Sequence, residues 1–415
     1  MNFFKKDKLR EYVDEVRPGI ITGAADNDPA GISTYSIAGS QFGYSQNWIM
    51  LLAIPMLIAV QSIVAKIGVI KQKGLNQVIK EHFGIKMSIL VLIILILCNT
   101  FTIGADTLAT SAATDMFFTN TTVNYELFLI PVFLLLSYII IFKNYKKIAK
   151  YMMIGSFIFV AYIITAIIVH PNWMSVLKGS FIPNFLQFFT NKNYALTATG
   201  ILGTTISPYL LFWQQEEEIE EKRPFLFARK ETKVVTLGFI FSQIITLFIM
   251  TASGATLFKH HINILNSKYP AIATAHVLYP LAGRLTEQLY AIGIISAGFI
   301  AIPVLAISSA YALTEITKKR GELSQTFNTE RIFYYVIILS LITGFIFAIF
   351  KLNPIMALYY SQVLDGVLAP FIVILIIIIA NRKSIMGKYV NNWFENVFSI
   401  LSVIIMLTAA ILAFL

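Results

Sequence analysis

Apolar runs of about 20 residues, the length that crosses a bilayer, recur along this sequence from end to end. They fall at 17–40, 46–70, 87–117, 124–143, 148–170, 193–215, 232–258, 286–316, 331–350, 355–380 and 393–415. Composition agrees. Of the 415 residues 57% are hydrophobic and only 13% charged, against roughly a quarter charged in a soluble domain. Such a chain keeps its apolar surface dry only in lipid, so the expected class is an all-α membrane protein with about eleven transmembrane helices.

The formal charge of +10 does not point to nucleic acid, because the basic residues lie in short segments between the apolar runs. With the N-terminus cytoplasmic, 26 of the 32 lysines and arginines fall on the cytoplasmic side. Only Lys178, Lys192, Lys259, Lys268, Arg284 and Lys351 are left outside. A missed or invented span would swap every later loop, so this bias supports N-terminus in and C-terminus out, in the cell membrane. Met1 to Arg17 is charged and amphipathic with no cleavage site after an apolar core, so the N-terminus is expected to be retained. Residues 1–16 form a cytoplasmic segment of a single membrane domain spanning 1–415. The longest loops, His170 to Asn193, Glu216 to Thr232 and Lys259 to Arg284, hold no soluble domain. No GxxxxGK[ST] phosphate loop is present to drive transport with ATP. Cys98 is the single cysteine, which excludes an internal disulfide.

Two spans are interrupted. Span 1 carries Gly23-Ala24-Ala25-Asp26-Asn27-Asp28-Pro29-Ala30-Gly31 in an apolar surround. A carboxylate at membrane depth costs several kcal/mol by insertion scales, and Pro29 removes a backbone donor. Local unwinding follows, and the carbonyls it frees are tolerated only where they line a site. Span 6 repeats the pattern with Gly200, Gly203-Thr204-Thr205-Ile206-Ser207-Pro208-Tyr209. Matching interruptions in two halves of five spans, 17–170 and 193–380, point to an inverted-repeat transporter with a midplane site. Two ordinary proline kinks are the plain alternative, but kinks do not require Asp26 and Asp28. Carboxylates, carbonyls and hydroxyls together suit a hard cation.

These residues carry a family likeness. Asp28-Pro29-Ala30-Gly31, followed by Gly39-Ser40-Gln41-Phe42-Gly43-Tyr44, resembles the first helix of the NRAMP metal transporters, whose motif is Asp-Pro-Gly-Asn. Span 6 resembles that family's Gly-Ala-x-Val-Met-Pro-His stretch, and Ser361-Gln362-Val363-Leu364 its tenth helix. Asn381 to Asn392 is similar to its loop before helix 11. The resemblance implies a LeuT-type five-plus-five inverted repeat with unwound helices 1 and 6, plus an eleventh helix at 393–415. It also implies a metal held by Asp28, the Thr204 carbonyl and neighbouring side chains.

The chain departs from the family at telling places. Gly31 stands where the family has its metal-binding Asn, and Ser207 where it has a Met thioether. Tyr209 and Gln214 replace two helix-6 histidines. Asp106 matches the family's helix-3 Asp, but Ala109 replaces the acid that follows, and span 9 lacks the family's arginine. Losing the thioether removes a preference for softer metals, and losing Asn enlarges the pocket. These changes resemble the NRAMP-related magnesium-transporter branch and suggest uptake of Mg²⁺, with Mn²⁺ next, without proton coupling.

The expected metal-site residues are thus Asp28, Asp26, Gly31, Thr204, Ser207, Gln362 and Asp365, with Asp106, Tyr209 and Gln214 as pathway candidates. Gln362 and Asp365 lie one turn apart on span 10 and can share a face; Asp365 would compensate the lost ligand. Each has a structural alternative, as a partner in the bundle's own hydrogen bonding. The acidic run Glu216-Glu217-Glu218 and Glu220-Glu221 reads better as a solvated helix end than as a cation exit. The pair His260-His261 lacks further ligands and reads as surface. No cofactor, catalytic residue or obligate protein partner is expected; the partners are the cation and the bilayer. Competing readings are a proton-coupled Mn²⁺ or Fe²⁺ importer and an organic-cation or amino-acid carrier of the same fold. A transport-dead sensor has no soluble domain to support it, and an enzyme has no nucleophile–base pair or cofactor motif.

Overall fold

The computed structural model describes residues 23, 26–119, 124–142, 156–220, 228–317, 329–350 and 352–415. Regular structure among them is entirely helical. The helices that organise the site are α1 (Pro29–Phe42), α2 (Asn47–Lys71), α3 (Leu75–Phe83), α4 (Ile85–Thr119) and α5 (Glu126–Phe142). After them come α6 (Val160–Ile168), α7 (Trp173–Phe181), α8 (Phe185–Thr190), α9 (Lys192–Thr205), α10 (Pro208–Glu220) and α11 (Ala228–Thr256). The remainder are α12 (Pro270–Ala275), α13 (Thr286–Thr314), α14 (Arg331–Ala348), α15 (Pro354–Asn381) and α16 (Trp393–Phe414).

Among the described residues, eight stretches are long and apolar enough to cross a membrane, and α5 is a shorter apolar helix. The eight correspond to expected spans 2, 3 and 6 to 11. Expected spans 1 and 5 are described only in part, because 17–22, 24–25 and 148–155 lie outside the described residues, as do the N-terminal segment 1–16 and many of the basic residues counted above. Two loops hold more helix than expected. The 170–193 loop contains α7 and α8, and α12 precedes span 8. The large apolar side chains of α7 and α8 (Met174, Leu177, Phe181, Leu186 and Phe189) are exposed, as befits helices lying in a bilayer interface.

Burial sorts the spans into a centre and a rim. The stretch Lys192–Glu220 is 94% buried over its most apolar window, whereas α14 and α16 are 33% buried and offer Leu339, Ile346, Ile404 and Ile411 outward. Polar and interrupted as it is, span 6 runs through the middle of the bundle. α1 packs on α11 and α9, α9 on α15, and α4 on α13, α14 and α15. Inside lipid, helices associate by close packing of small residues rather than by a hydrophobic drive. Gly203 of α9 lies directly against the Gln362 carbonyl and Gly366 of α15, while Gly366 in turn meets Thr199. A side chain at either glycine would force these helices apart.

Between α2 and α16, the buried Lys66 Nζ lies 2.7 Å from Glu395 Oε2 and 3.2 Å from Asn391 Oδ1. Glu395 also completes the N-terminal capping box of α16, accepting from the Asn392 N–H at 2.8 Å. The expectation that Glu216–Glu218 end in solvent is corrected: all three are buried at the end of α10. There Gln214 Nε2 donates to Glu218 at 2.6 Å and Tyr311 OH to Glu220 at 2.7 Å. Glu315 accepts from the Gln77 N–H at 3.0 Å, a carboxylate on the positive end of α3.

Candidate metal-binding site

Helix α1 starts at Pro29, and the turn before it, Asp26 to Asp28, is not helical. Asp28 is its N-cap, with extended backbone (φ −73°, ψ 169°) and a carboxylate that accepts from the Gly31 N–H. Proline at the first helical position and Asp at the cap are a strong start signal. Asp28 therefore sits at the positive end of a half-helix inside the bundle, 1% exposed. Its Oδ1 takes the Gly31 bond, while Oδ2 faces the Tyr209 hydroxyl at 3.5 Å.

Facing it, α9 stops at Thr205 and α10 begins at Pro208, with Ile206 non-helical (φ −118°, ψ 60°). The Ile206 N–H still bonds to Leu202 O at 2.9 Å. The residue four beyond Thr204 is Pro208, which has no N–H, so the Thr204 carbonyl loses its helical donor. The partial negative charge of the α9 C-terminus gathers at the same place. Gly31 brings the two breaks together: a Cβ added there would lie 2.8 Å from Thr204 Oγ1 and 3.0 Å from Asp28 Oδ1. An Asn in that position would need Thr204 to move.

Asp28, Gly31, Thr204 and Tyr209 thus share one pocket. Ser207 sits in the break itself, its buried hydroxyl without a hydrogen-bond partner; the Gln362 side-chain oxygen is likewise unpartnered, and the Thr204 hydroxyl faces the Tyr35 hydroxyl. Gln362 belongs to α15, whose backbone abuts Gly203. Asp365 and Asp106 are both buried, and both lie within reach of the Asp28 charge.

Two expected residues point elsewhere. Asp26 Oδ2 accepts from Ser242 Oγ at 2.6 Å and Gln243 Nε2 at 2.8 Å, both on α11. Its neighbour Asn27 donates to Ser242 Oγ at 2.7 Å. Asp26 therefore ties the unwound turn to α11, and only its Oδ1 is unpartnered. Gln214 lies a turn and a half beyond Tyr209 and is engaged with Glu218, among the buried acids at the end of α10. The α11 residues were not singled out in the sequence, although Ser242-Gln243 and Thr246, a polar stripe at helical spacing in an apolar span, were a usable signal.

A polar cavity of about 380 Å³ lies at the ends of α1, α9 and α15, lined by Gln41, Asn191, Asn193, Asn263, Asn266 and Tyr360 among others. Tyr359 also lines it and donates or accepts at 2.9 Å with Thr197 Oγ1, between the cavity and the buried pocket. Among the described residues no three His, Cys, Asp or Glu side chains converge closely enough to hold a metal. The pocket's donors are instead one carboxylate with hydroxyl, amide and backbone oxygens.

A carboxylate-capped half-helix facing a proline-broken one, both at the centre of an all-helical bundle, is the arrangement expected of metal transporters. The sequence profile of the Nramp family, "Natural resistance-associated macrophage protein-like", matches residues 19–415. The chain belongs to the Nramp family. It is a multi-pass membrane transporter for divalent metal cations, not an enzyme. It is 25% identical over 411 residues to the divalent metal cation transporter MntH of Caldanaerobacter subterraneus subsp. tengcongensis, covering 96% of this chain and 92% of that one. To MntH of Clostridium acetobutylicum it is 27% identical over 429 residues, covering 97% and 91%. Its fold matches a crystal structure of the Eremococcus coleocola manganese transporter, with a TM-score of 0.79 at 18% identity, over 99% of this chain and 87% of that one. It also matches the nucleobase-cation-symport-1 transporter Mhp1, with a TM-score of 0.63 at 16% identity, over 96% and 90%. The LeuT-type fold is shared by both.

Proposed function

We propose that this Nramp protein imports hard divalent cations through an all-oxygen site built on Asp28, and that it accepts both Mn²⁺ and Mg²⁺. Kinship favours Mn²⁺, since relatives of the same length and fold are named for divalent metal or manganese transport. The residues extend the range to Mg²⁺. The observation that carries this is Ser207, a hydroxyl in the helix break where the family has a thioether. Oxygen donors retain hard ions, whereas a thioether selects softer ones. Gly31 does not enlarge the pocket, because Thr204 closes over it, but its lack of a side chain lets the Thr204 oxygens come up beside Asp28 and adds hard donors there. The metal-site set of this reading is Asp28, the Thr204 carbonyl, Ser207 and Gln362, with Tyr209 beside Asp28. Asp26 acts as the tether of the unwound turn.

We further infer that protons are not coupled. At the α4–α14 interface, where the family's proton route would run, Gly104 is packed by Phe347 and Gly344 by Ile103. Phe101 and Phe347 add an edge-to-face ring pair at 4.8 Å. Ala109, also on α4, is buried and carries no acid. Entry into a negative interior supplies about 4.6 kcal/mol per 100 mV for a doubly charged ion, enough for uptake by potential alone. The orientation proposed is N-terminus inside and C-terminus outside, with the amide-lined cavity as the external mouth.

The test is competition in proteoliposomes held at a negative internal potential. Excess external Mg²⁺ is expected to suppress Mn²⁺ uptake at concentrations where Mg²⁺ itself enters. Mn²⁺ uptake indifferent to a thousandfold excess of Mg²⁺ would contradict the broad hard-ion reading.

A further inference from the structure

Around the pocket, nearly every unpartnered buried polar atom is an oxygen, and the excess does not stop at Asp28. Cys98, Thr102 and Asp106 are spaced four apart, which sets them on one stripe of α4, about 12 Å long at 1.5 Å per residue. Asn99 flanks the stripe. Its Nδ2 is fully used, donating to Ser309 Oγ at 2.8 Å and to Ser308 Oγ and Leu305 O at 3.0 Å, all on α13. Its Oδ1 is left unpartnered. The Thr102 hydroxyl is unpartnered as well, and the Asp106 carboxylate faces the Ala30 N–H of α1 with no close hydrogen bond to either oxygen. From α15, Asp365 comes to lie against the Cys98 thiol, a weak donor, and within electrostatic reach of Asp106 and Asp28, with no close hydrogen bond to either oxygen. Thr102 and Asp106 are wholly buried, and Asp365, Asn99 and Cys98 are each 1% exposed.

Burying two carboxylates that face only a backbone N–H and a thiol, beside an unpartnered amide oxygen and hydroxyl, is costly, because each forfeits most of its bonds to water. Such a row persists where a cation completes it during function. A purely structural role would show enough donors to satisfy the carboxylates. Asn99 shows what that looks like, with every N–H committed to α13 and only its oxygen turned away. The side chains do not converge tightly enough for direct ligation by three acids, so the fitting occupant is a cation that keeps part of its hydration shell.

We propose that Asp106 and Asp365, with Thr102 and Asn99 Oδ1, form a second cation station, displaced from Asp28 toward the lysine-rich ends of α2 and α4 and taking a partly hydrated divalent ion. The inference rests on the reading that this chain carries divalent cations. With two stations, an ion leaving Asp28 is handed on rather than released into an apolar bundle, and Asp365 supplies the charge that draws it.

The test is a titration of the purified full chain with Mn²⁺, following free Mn²⁺ by electron paramagnetic resonance. Wild type, Asp365→Asn, Asp28→Asn and the double variant Asp28→Asn/Asp365→Asn are compared. Asp365→Asn is expected to keep the Asp28 site, which shows that the variant is folded. Asp28→Asn is expected to retain one weaker Mn²⁺ per chain, and adding Asp365→Asn to weaken that binding at least tenfold. A single-variant Asp28→Asn that binds no Mn²⁺, or a double variant that binds as the single one does, overturns the second station while leaving the transport reading intact. A wild type that binds no Mn²⁺ overturns both.

Discussion

The Lys66–Glu395 pair gives the sharpest energetic prediction. Both groups are buried and 2.7 Å apart, so their attraction is on the order of 6 kcal/mol at an effective dielectric of about 20. Desolvating each ion costs several kcal/mol, and breaking a buried pair from one side costs about 3–5 kcal/mol. The two sides are not equivalent. Glu395→Gln preserves the capping box but leaves the ammonium with Asn391 and a neutral amide, so the full 3–5 kcal/mol is expected. Lys66→Met leaves the carboxylate bonded to the Asn392 N–H at the α16 N-terminus, which offsets about 1–2 kcal/mol. Adding Lys66→Met to Glu395→Gln should therefore recover most of the stability that Glu395→Gln alone removes. Reversible unfolding in mixed detergent micelles measures each value. Losses that simply add in the double variant would refute the claim that the lone ammonium is the problem.

Other consequences follow from the site. Asp26→Asn should keep uptake within a few-fold of wild type, because Ser242 and Gln243 still find an acceptor there; a loss as complete as that of Asp28→Asn would make Asp26 a ligand. Ser207→Met should raise Cd²⁺ uptake relative to Mg²⁺ by about tenfold or more, as a thioether favours soft ions, and unchanged selectivity would remove Ser207 from the site. Cys98, the single cysteine and 1% exposed, should react slowly with membrane-permeant methanethiosulfonate and more slowly still with Mn²⁺ present. Fast, Mn²⁺-independent labelling would place it outside the ion path.

Much of this protein is legible in its sequence, for physical reasons. The bilayer fixes the length of an apolar span, and eight of the expected spans reappear as continuous stretches. Carboxylates and prolines at membrane depth are too costly to be incidental, so Asp28-Pro29 and Pro208 mark the two breaks directly. What escaped depends on which elements face each other. Nothing local says that Asp26 turns to Ser242 and Gln243 on α11, or that Asp365 meets Cys98 and Asp106. The run Glu216–Glu218 misled because charge runs at helix ends usually meet water, whereas α10 ends inside the bundle. Metal preference is the least legible property, since it rests on single exchanges such as Ser207 and Gly31.

The central claim, an Asp28-dependent and proton-independent path for hard divalent cations, is tested most directly in proteoliposomes loaded with a metal indicator and a pH dye. With an imposed negative potential, wild type should admit Mn²⁺ and Mg²⁺ with no change of internal pH, and Asp28→Ala should admit neither. Metal uptake with matching internal acidification, or uptake undiminished in Asp28→Ala, would contradict it.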